Sequence, residues 1–146
     1  TRSVAEGGAG CAACHRPPEF DIDPASGHNG IVTVLEDAFN FDFENTRAPS
    51  LRDLARRNGA LNGPYMHDGE QPDLRAVIDH YDAIDIPANA DPAAFTAALD
   101  PRLQTGGVPQ QLSLTEQEKN ELEAYLLTLG GSAIYADQKW ASPFSD

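Results

Sequence analysis

The stretch Cys11-Ala12-Ala13-Cys14-His15 decides how this sequence is interpreted. It has the pattern C-x-x-C-H, in which an imidazole directly follows the second of two thiols. This spacing is typical of c-type haem attachment, because the thiols form thioethers with the two vinyl groups and the imidazole binds iron from one side. The motif therefore predicts one covalently bound haem c per chain, held by Cys11 and Cys14, with His15 as the proximal iron ligand.

Two other kinds of site share part of this spacing. A thioredoxin-like dithiol would need a preceding strand and a βαβ pattern around it, and half of a zinc site would need two more soft ligands. The sequence offers neither context, and it has only 2 cysteines. Covalent haem is the preferred interpretation, with a redox dithiol or a chance occurrence of the string as the alternatives.

Length and composition indicate one small domain rather than a multidomain enzyme. The chain has 146 residues, of which 40% are hydrophobic. We expect a single c-type cytochrome domain over residues 1–146, with a core at about 7–130 and a C-terminal tail at 131–146 that packs back on it. The 12 glycines and 11 prolines leave long stretches with little apolar surface to bury, so a haem would supply the missing core.

The charge balance narrows the range of partners and locations. Ten Lys and Arg against 23 Asp and Glu give a net charge of -13, which disfavours nucleic acid and anionic membranes and favours cationic partners. No apolar run approaches the roughly 20 residues that a membrane span needs. Because bacterial c-type haem is attached outside the cytoplasmic membrane, we expect a periplasmic or extracellular location. The chain begins at Thr1, as expected of a processed product or of a domain from a longer protein.

Hydrophobic periodicity and capping residues predict a mainly helical chain. Asp73 caps an amphipathic helix, Asp91-Pro92 opens a shorter one, and Thr115 begins a capping box for a third. Pro49 and Gly59 bracket a fourth helix at residues 49 to 58. No strand pattern in the sequence is longer than the one at residues 31 to 35. These elements predict an all-α, cytochrome c-like fold wrapped around the haem, with long loops.

The group that faces the proximal histidine across the iron decides what the iron does. Met66 is the only methionine, and its thioether would raise the potential and suit an electron carrier; it could instead fill a gap in the core. Tyr81 lies on the apolar face of the helix after Asp73, and its phenolate would lower the potential; it could instead be an ordinary core tyrosine. Three histidines are more readily explained as hydrogen-bonded loop or surface residues, namely His28, His67 and His80.

Several longer sequence strings follow the motif along the chain. They are Thr46-Arg47-Ala48-Pro49-Ser50-Leu51-Arg52, Gly63-Pro64-Tyr65-Met66-His67-Asp68-Gly69, the segment 74–81, Leu114-Thr115-Glu116 and Ala124-Tyr125-Leu126-Leu127-Thr128-Leu129. Together with the C-x-x-C-H motif, this order resembles the C-terminal haem domain of bacterial di-haem cytochrome c peroxidases and MauG-like proteins. The likeness extends from about residue 7 to 130.

The resemblance implies a role for several residues. In that family the sixth ligand of this haem lies near the end of the helix after the His-Asp-Gly string, as methionine in the peroxidases and tyrosine in the MauG-like branch. Tyr81 occupies this position, so it is the implied second iron ligand, with Met66 as the alternative. Arg52 and His67 would lie near the haem propionates, where an arginine or imidazole can bond a carboxylate.

The resemblance also implies a possible calcium ion near Asn62 and Pro64, at the backbone that binds an interdomain calcium in the family. The family's enzymes use two haems, and their peroxide pocket lies in the other domain. This chain has one haem motif, and we assign it no catalytic residue. We expect electron transfer through a single haem, together with a redox partner protein or a second haem domain. The alternatives are the electron-transfer half or a fragment of a di-haem peroxidase or MauG-like oxidoreductase, or a haem-free binding module.

Overall fold

The computed structural model describes residues 8–34, 41–42, 50–56 and 59–130. Within them are three α-helices, namely α1 (Leu74–Asp82), α2 (Pro92–Ala98) and α3 (Glu116–Leu127). Two short 3-10 helices cover Cys11–Ala13 and Pro101–Leu103. The tail predicted at 131–146 lies outside the described residues.

The described residues also contain six two-residue strands, which pair antiparallel into three separate two-stranded sheets. The pairs are β1 (His15–Arg16) with β2 (Asp21–Ile22), β3 (Thr33–Val34) with β4 (Phe41–Asp42), and β5 (Gln104–Thr105) with β6 (Val108–Pro109). The prediction of an all-α fold is therefore wrong. Backbone groups in these turn-rich segments pair with each other across the turns instead of joining a helix, and two-residue strands are too short to leave an alternating pattern in the sequence.

The helix predicted at 49 to 58 is also absent from its described part, residues 50–56, which form turns. The Leu51 N–H donates to the Phe20 carbonyl over 3.1 Å, which ties this segment to a distant loop. Asp53 has φ 60°, in the left-handed region, and a right-handed helix cannot continue through such a residue. Long-range hydrogen bonds have overridden the local helix signals.

The three remaining helix predictions are confirmed, and each helix begins at the predicted cap. The Asp73 carboxylate accepts the Ala76 N–H at the start of α1 over 2.8 Å, and Asp91 caps α2 in the same way. Thr115 and Glu118 form a complete capping box at the start of α3. These side chains satisfy backbone donors that the first turn leaves unpaired.

The buried apolar side chains form two clusters. The first joins α1 to α3 and consists of Leu74, Ile78 and Leu126. The second lies around α2 and consists of Ile84, Phe95 and Leu99. None of the helices in the described ranges is both long and apolar enough to span a bilayer. The packing of α1 on α3 forms one wall of the cavity described next.

Candidate functional site

A cavity lies between the C-x-x-C-H segment and the facing sides of α1 and α3. It contains about 870 Å³ of space that protein atoms do not fill, including its opening to solvent. Small-molecule and cofactor sites typically have apolar walls and few polar groups. The apolar wall includes Val77 and Ile78 of α1 and Leu122 and Leu126 of α3. The lining is that of a site for an apolar group.

All three functional residues of the motif line this cavity. Cys11 lies in the first 3-10 helix, Cys14 follows that helix, and His15 begins β1. Both thiols are free and partly buried. Burial raises the pKa of Cys11, since a thiolate is poorly solvated there.

His15 is 8% exposed, and its Nδ1 atom is buried without a hydrogen-bond partner among the described residues. Burial lowers the pKa of His15, while the Phe20 backbone and the Asp21 carboxylate act in the opposite direction. The imidazole is thus neutral, with bonding capacity that the surrounding protein does not use. Buried polar atoms are almost always satisfied, so an unsatisfied imidazole nitrogen at a cavity indicates a missing partner. The residues present therefore fit a metal-bearing prosthetic group.

Tyr81 reaches the same cavity from the last turn of α1, whereas Met66 does not line it. Burial raises the pKa of Tyr81 far above its ordinary value, a hydrogen bond with Asn29 opposes the rise, and the two cysteines add to it. The Met66 sulfur instead accepts an N–H from the Asn29 side chain over 3.9 Å. Of the two candidate ligands predicted from the sequence, Tyr81 is the one that shares a cavity with the motif.

Arg52 and His67, predicted near the haem propionates, do not line the cavity. The Arg52 guanidinium donates to the carbonyls of Pro18 and Glu19 over 2.6 and 2.8 Å. His67 is exposed. In this structure Arg52 joins the turn at 50–56 to the loop that follows the motif.

Two histidines predicted to be structural are bonded to backbone groups. His28 accepts the Gly30 N–H at Nδ1 over 2.9 Å, and His80 has its Nε2 atom 2.9 Å from the Asn29 carbonyl oxygen. Neither ring lines the cavity of the motif. Across residues 8–34, 41–42, 50–56 and 59–130, no group of three or more His, Cys, Asp or Glu side chains could hold a free metal ion.

An arginine that the sequence analysis did not identify fastens the motif to the loop after α2. All five N–H donors of Arg102 are used: they bond both Asp100 carboxylate oxygens, Asp23 Oδ2, Ser26 Oγ and the Ala13 carbonyl over 2.7 to 3.1 Å. Asp100 is only 3% exposed, and its hydrogen bonds with Arg102 lower its pKa to about 2. Both side chains line the cavity. Arg102 therefore holds the backbone of the motif in place.

Fold and site together define a cofactor-binding domain that carries a C-x-x-C-H motif on its cavity wall. No protein-family profile matches the chain. It is 32% identical over 137 residues to "Methylamine utilization protein MauG" of Methylorubrum extorquens and 28% identical over 139 residues to the protein of the same name from Methylophilus methylotrophus. These matches cover 84% and 86% of this chain.

A solved structure is similar as well, that of a MauG-like protein associated with microbial copper homeostasis. It matches 98% of this chain at 27% identity with a TM-score of 0.54. These findings establish a MauG-like family relationship and confirm the resemblance predicted from the sequence. The chain spans 31% and 34% of the two curated relatives and 51% of the solved chain.

Proposed function

We propose that this chain is a c-type cytochrome domain that binds one haem covalently and transfers electrons. The observation that carries the proposal is that Cys11, Cys14, His15 and Tyr81 all line one largely apolar cavity. The MauG-like relationship supports haem as the cofactor. When bound, the haem supplies an iron centre that alternates between ferrous and ferric states.

The motif residues attach and orient this group. Each thiol would add across one vinyl double bond, with sulfur bonding to one carbon and the thiol hydrogen going to the other, so no external oxidant or reductant would be consumed. His15 would supply a nitrogen ligand, and its burial lowers its pKa and so favours the neutral imidazole, the form that binds metal. Arg102 Nη1 donates to the Ala13 carbonyl over 2.9 Å, and the other four hydrogen bonds of the guanidinium fix its position, so the backbone of the motif is held in place.

Tyr81 is the second iron ligand in this proposal, because it faces the cavity that the motif lines. Met66 is the alternative ligand. A phenolate gives a lower reduction potential than a thioether, since an anionic oxygen stabilises ferric iron. The choice between the two therefore sets the range of redox partners.

The excess of 13 negative charges suits a cationic redox partner. A second haem domain is the other partner that the MauG-like relationship suggests. We also infer a periplasmic or extracellular location, where c-type haem is attached. Electron transfer at this surface should slow as salt is added if the partner is cationic.

A second candidate function is electron relay inside a di-haem MauG-like oxidoreductase. The observation that favours it is the coverage, since the chain corresponds to only 31% to 34% of the curated MauG proteins. In such an enzyme this haem would exchange electrons with a second haem rather than with a separate protein.

A calcium ion near Asn62 and Pro64 is a further prediction from the family resemblance. The Asn62 side chain is already engaged, since its amide oxygen accepts from Arg56 Nε over 2.9 Å and its amide nitrogen donates to the Asp53 carbonyl over 2.6 Å. Any calcium would therefore need backbone carbonyl ligands, because the Arg56 cation lies against the amide oxygen. A calcium titration followed by isothermal calorimetry tests this, and absence of binding would remove the ion from the proposal.

Intact mass spectrometry tests covalent attachment. After expression in a host competent for cytochrome c maturation, the protein should gain the mass of one haem and keep it in denaturing solvent. The Cys11→Ala/Cys14→Ala variant is the control and should lose the adduct. An unmodified mass for the unaltered chain in that host would contradict the proposal and favour a redox dithiol or a haem-free binding module.

A second experiment separates the carrier from the enzyme. The haem-loaded chain should undergo reversible one-electron reduction and show no rapid turnover of peroxide in a steady-state assay. Rapid turnover by the isolated chain would contradict the role of electron carrier and favour the oxidoreductase.

A further inference from the structure

Asn29 lies where the two candidate iron ligands approach each other. It is 5% exposed and lines the cavity of the motif. Its Nδ2 donates to the Met66 sulfur over 3.9 Å, and its side chain acts to lower the pKa of the Tyr81 hydroxyl, which lines the same cavity. One buried amide therefore acts on both side chains that could bind iron.

The orientation of this amide is fixed by its own surroundings. Its oxygen accepts the Ile31 N–H over 3.0 Å, which leaves the NH2 group for the two candidate ligands. The Asn29 carbonyl bonds His80 Nε2 over 2.9 Å, which fastens the loop to α1. Gly30 has φ 91°, and a Cβ there would approach Ile84 Cγ2 to 2.9 Å, so glycine is needed for the loop to lie this close to the helix.

We propose that Asn29 is a positioning residue that selects Tyr81 over Met66 as the sixth iron ligand. The inference rests on the proposed function, since it requires a haem in this cavity. The N–H donated to the Met66 sulfur holds the thioether on Asn29 and outside the cavity lining. Tyr81 lines the cavity, and its oxygen keeps a lone pair for metal even when it accepts one N–H.

The variant Asn29→Asp tests this with little change of shape. It keeps an oxygen for the Ile31 N–H and removes both N–H donors. The matched control is Asn89→Asp, which makes the same chemical and charge change at an exposed amide that does not line the cavity.

Electron paramagnetic resonance and near-infrared spectra of the ferric, haem-loaded proteins provide the readout. The unaltered chain and Asn89→Asp should show a phenolate signature. Asn29→Asp should lose at least half of that signal and gain a thioether signature, which adding Met66→Leu should abolish. A spectrum of Asn29→Asp identical to that of the unaltered chain would overturn the inference.

Further outcomes separate this inference from the proposed function. Absence of haem from the unaltered chain overturns both, whereas a haem-loaded chain with a thioether signature that Met66→Leu abolishes overturns the role of Asn29 and makes Met66 the ligand, and leaves the proposed haem domain standing. If Asn29→Asp does not load haem, Asn29→Ser is measured instead, since its hydroxyl can still accept the Ile31 N–H but is too short to reach Met66. Failure of both variants to load haem, with normal loading of Asn89→Asp, would assign Asn29 a structural role only and overturn ligand selection.

Discussion

Replacing Arg102 with methionine should destabilise the protein by about 3 kcal/mol at neutral pH. The hydrogen bonds of the Arg102 side chain are the largest cause that lowers the pKa of Asp100 from 3.8 to about 2, with backbone N–H groups contributing less. At roughly 1.4 kcal/mol per pKa unit, loss of the Arg102 share corresponds to at most about 2 kcal/mol. Loss of the hydrogen bonds to the Ala13 carbonyl and to Ser26 lowers the stability by about a further 1 kcal/mol in total. This cost is small because Arg102 is partly exposed, so water replaces part of these bonds. Removing one partner of a buried ion pair commonly costs about 3–5 kcal/mol, so the sum lies at the lower edge of that range.

The ion pair of Asp100 with Arg102 also predicts how the free energy of unfolding depends on pH. Because the folded-state pKa of Asp100 is depressed, its contribution is fully present above about pH 4 and is lost as pH falls through about 2. Arg102→Met removes the main cause of that depression and leaves the carboxylate with two backbone N–H donors, including that of Gly27. The difference in unfolding free energy between the two proteins should therefore shrink as pH falls from 4 to 2.

Urea unfolding followed by far-ultraviolet circular dichroism at pH 7 and pH 2.5 measures both effects. Arg16→Met is the matched control, because Arg16 also pairs with Asp23 over 3.1 Å but has a side chain that is 73% exposed. Exposed pairs contribute about 0–1 kcal/mol, so this control should change little. Equal losses for the two variants at pH 7, or a loss for Arg102→Met that does not shrink at pH 2.5, would refute the reasoning.

Three further predictions concern the ligand, the core and a helix cap. Tyr81→Phe should change the ferric spectrum and raise the reduction potential, whereas Met66→Leu should alter mainly stability. Spectroelectrochemistry measures the spectrum and the potential of each variant. Conversion of the iron to high spin by Met66→Leu alone would contradict the ligand assignment. Phe95→Ala, at a fully buried site, should cost about 3–5 kcal/mol in urea unfolding; a loss below 1 kcal/mol would show that the cluster around α2 repacks. Thr115→Ala should cost about 1 kcal/mol through loss of the α3 cap; an unchanged urea midpoint would contradict it.

Local signals predicted the helices correctly where the helix and its cap lie within a few residues. Asp73, Asp91 and Thr115 each accept a backbone N–H three residues ahead, as the sequence predicted. The prediction of a helix at 49 to 58 was wrong because backbone groups in its described part form hydrogen bonds with distant residues. The Leu51 N–H, for example, donates to the Phe20 carbonyl. The sequence analysis missed the six short strands for the same reason, since each strand depends on a partner strand rather than on its own residues.

The residues of the site also fall into two groups, those that the sequence indicates and those that only the folded structure brings to the site. Cys11, Cys14 and His15 lie within five positions, so the sequence by itself indicates their shared chemistry. Asn29 and Arg102 carry no such signal, because the contacts that place them at the site, with Met66 and with the Ala13 carbonyl, join residues 37 and 89 positions apart.

The sequence therefore determined the C-x-x-C-H motif, the three capped helices and the negative net charge, all of which depend on short-range spacing or on composition. Only the tertiary structure decided which candidate ligand shares a cavity with the motif. Tyr81 lines that cavity, and the Met66 sulfur is held on the Asn29 amide. The physical reason is that a helix or a C-x-x-C-H motif is specified by neighbours along the chain, whereas a cavity wall is formed by segments that meet only after folding.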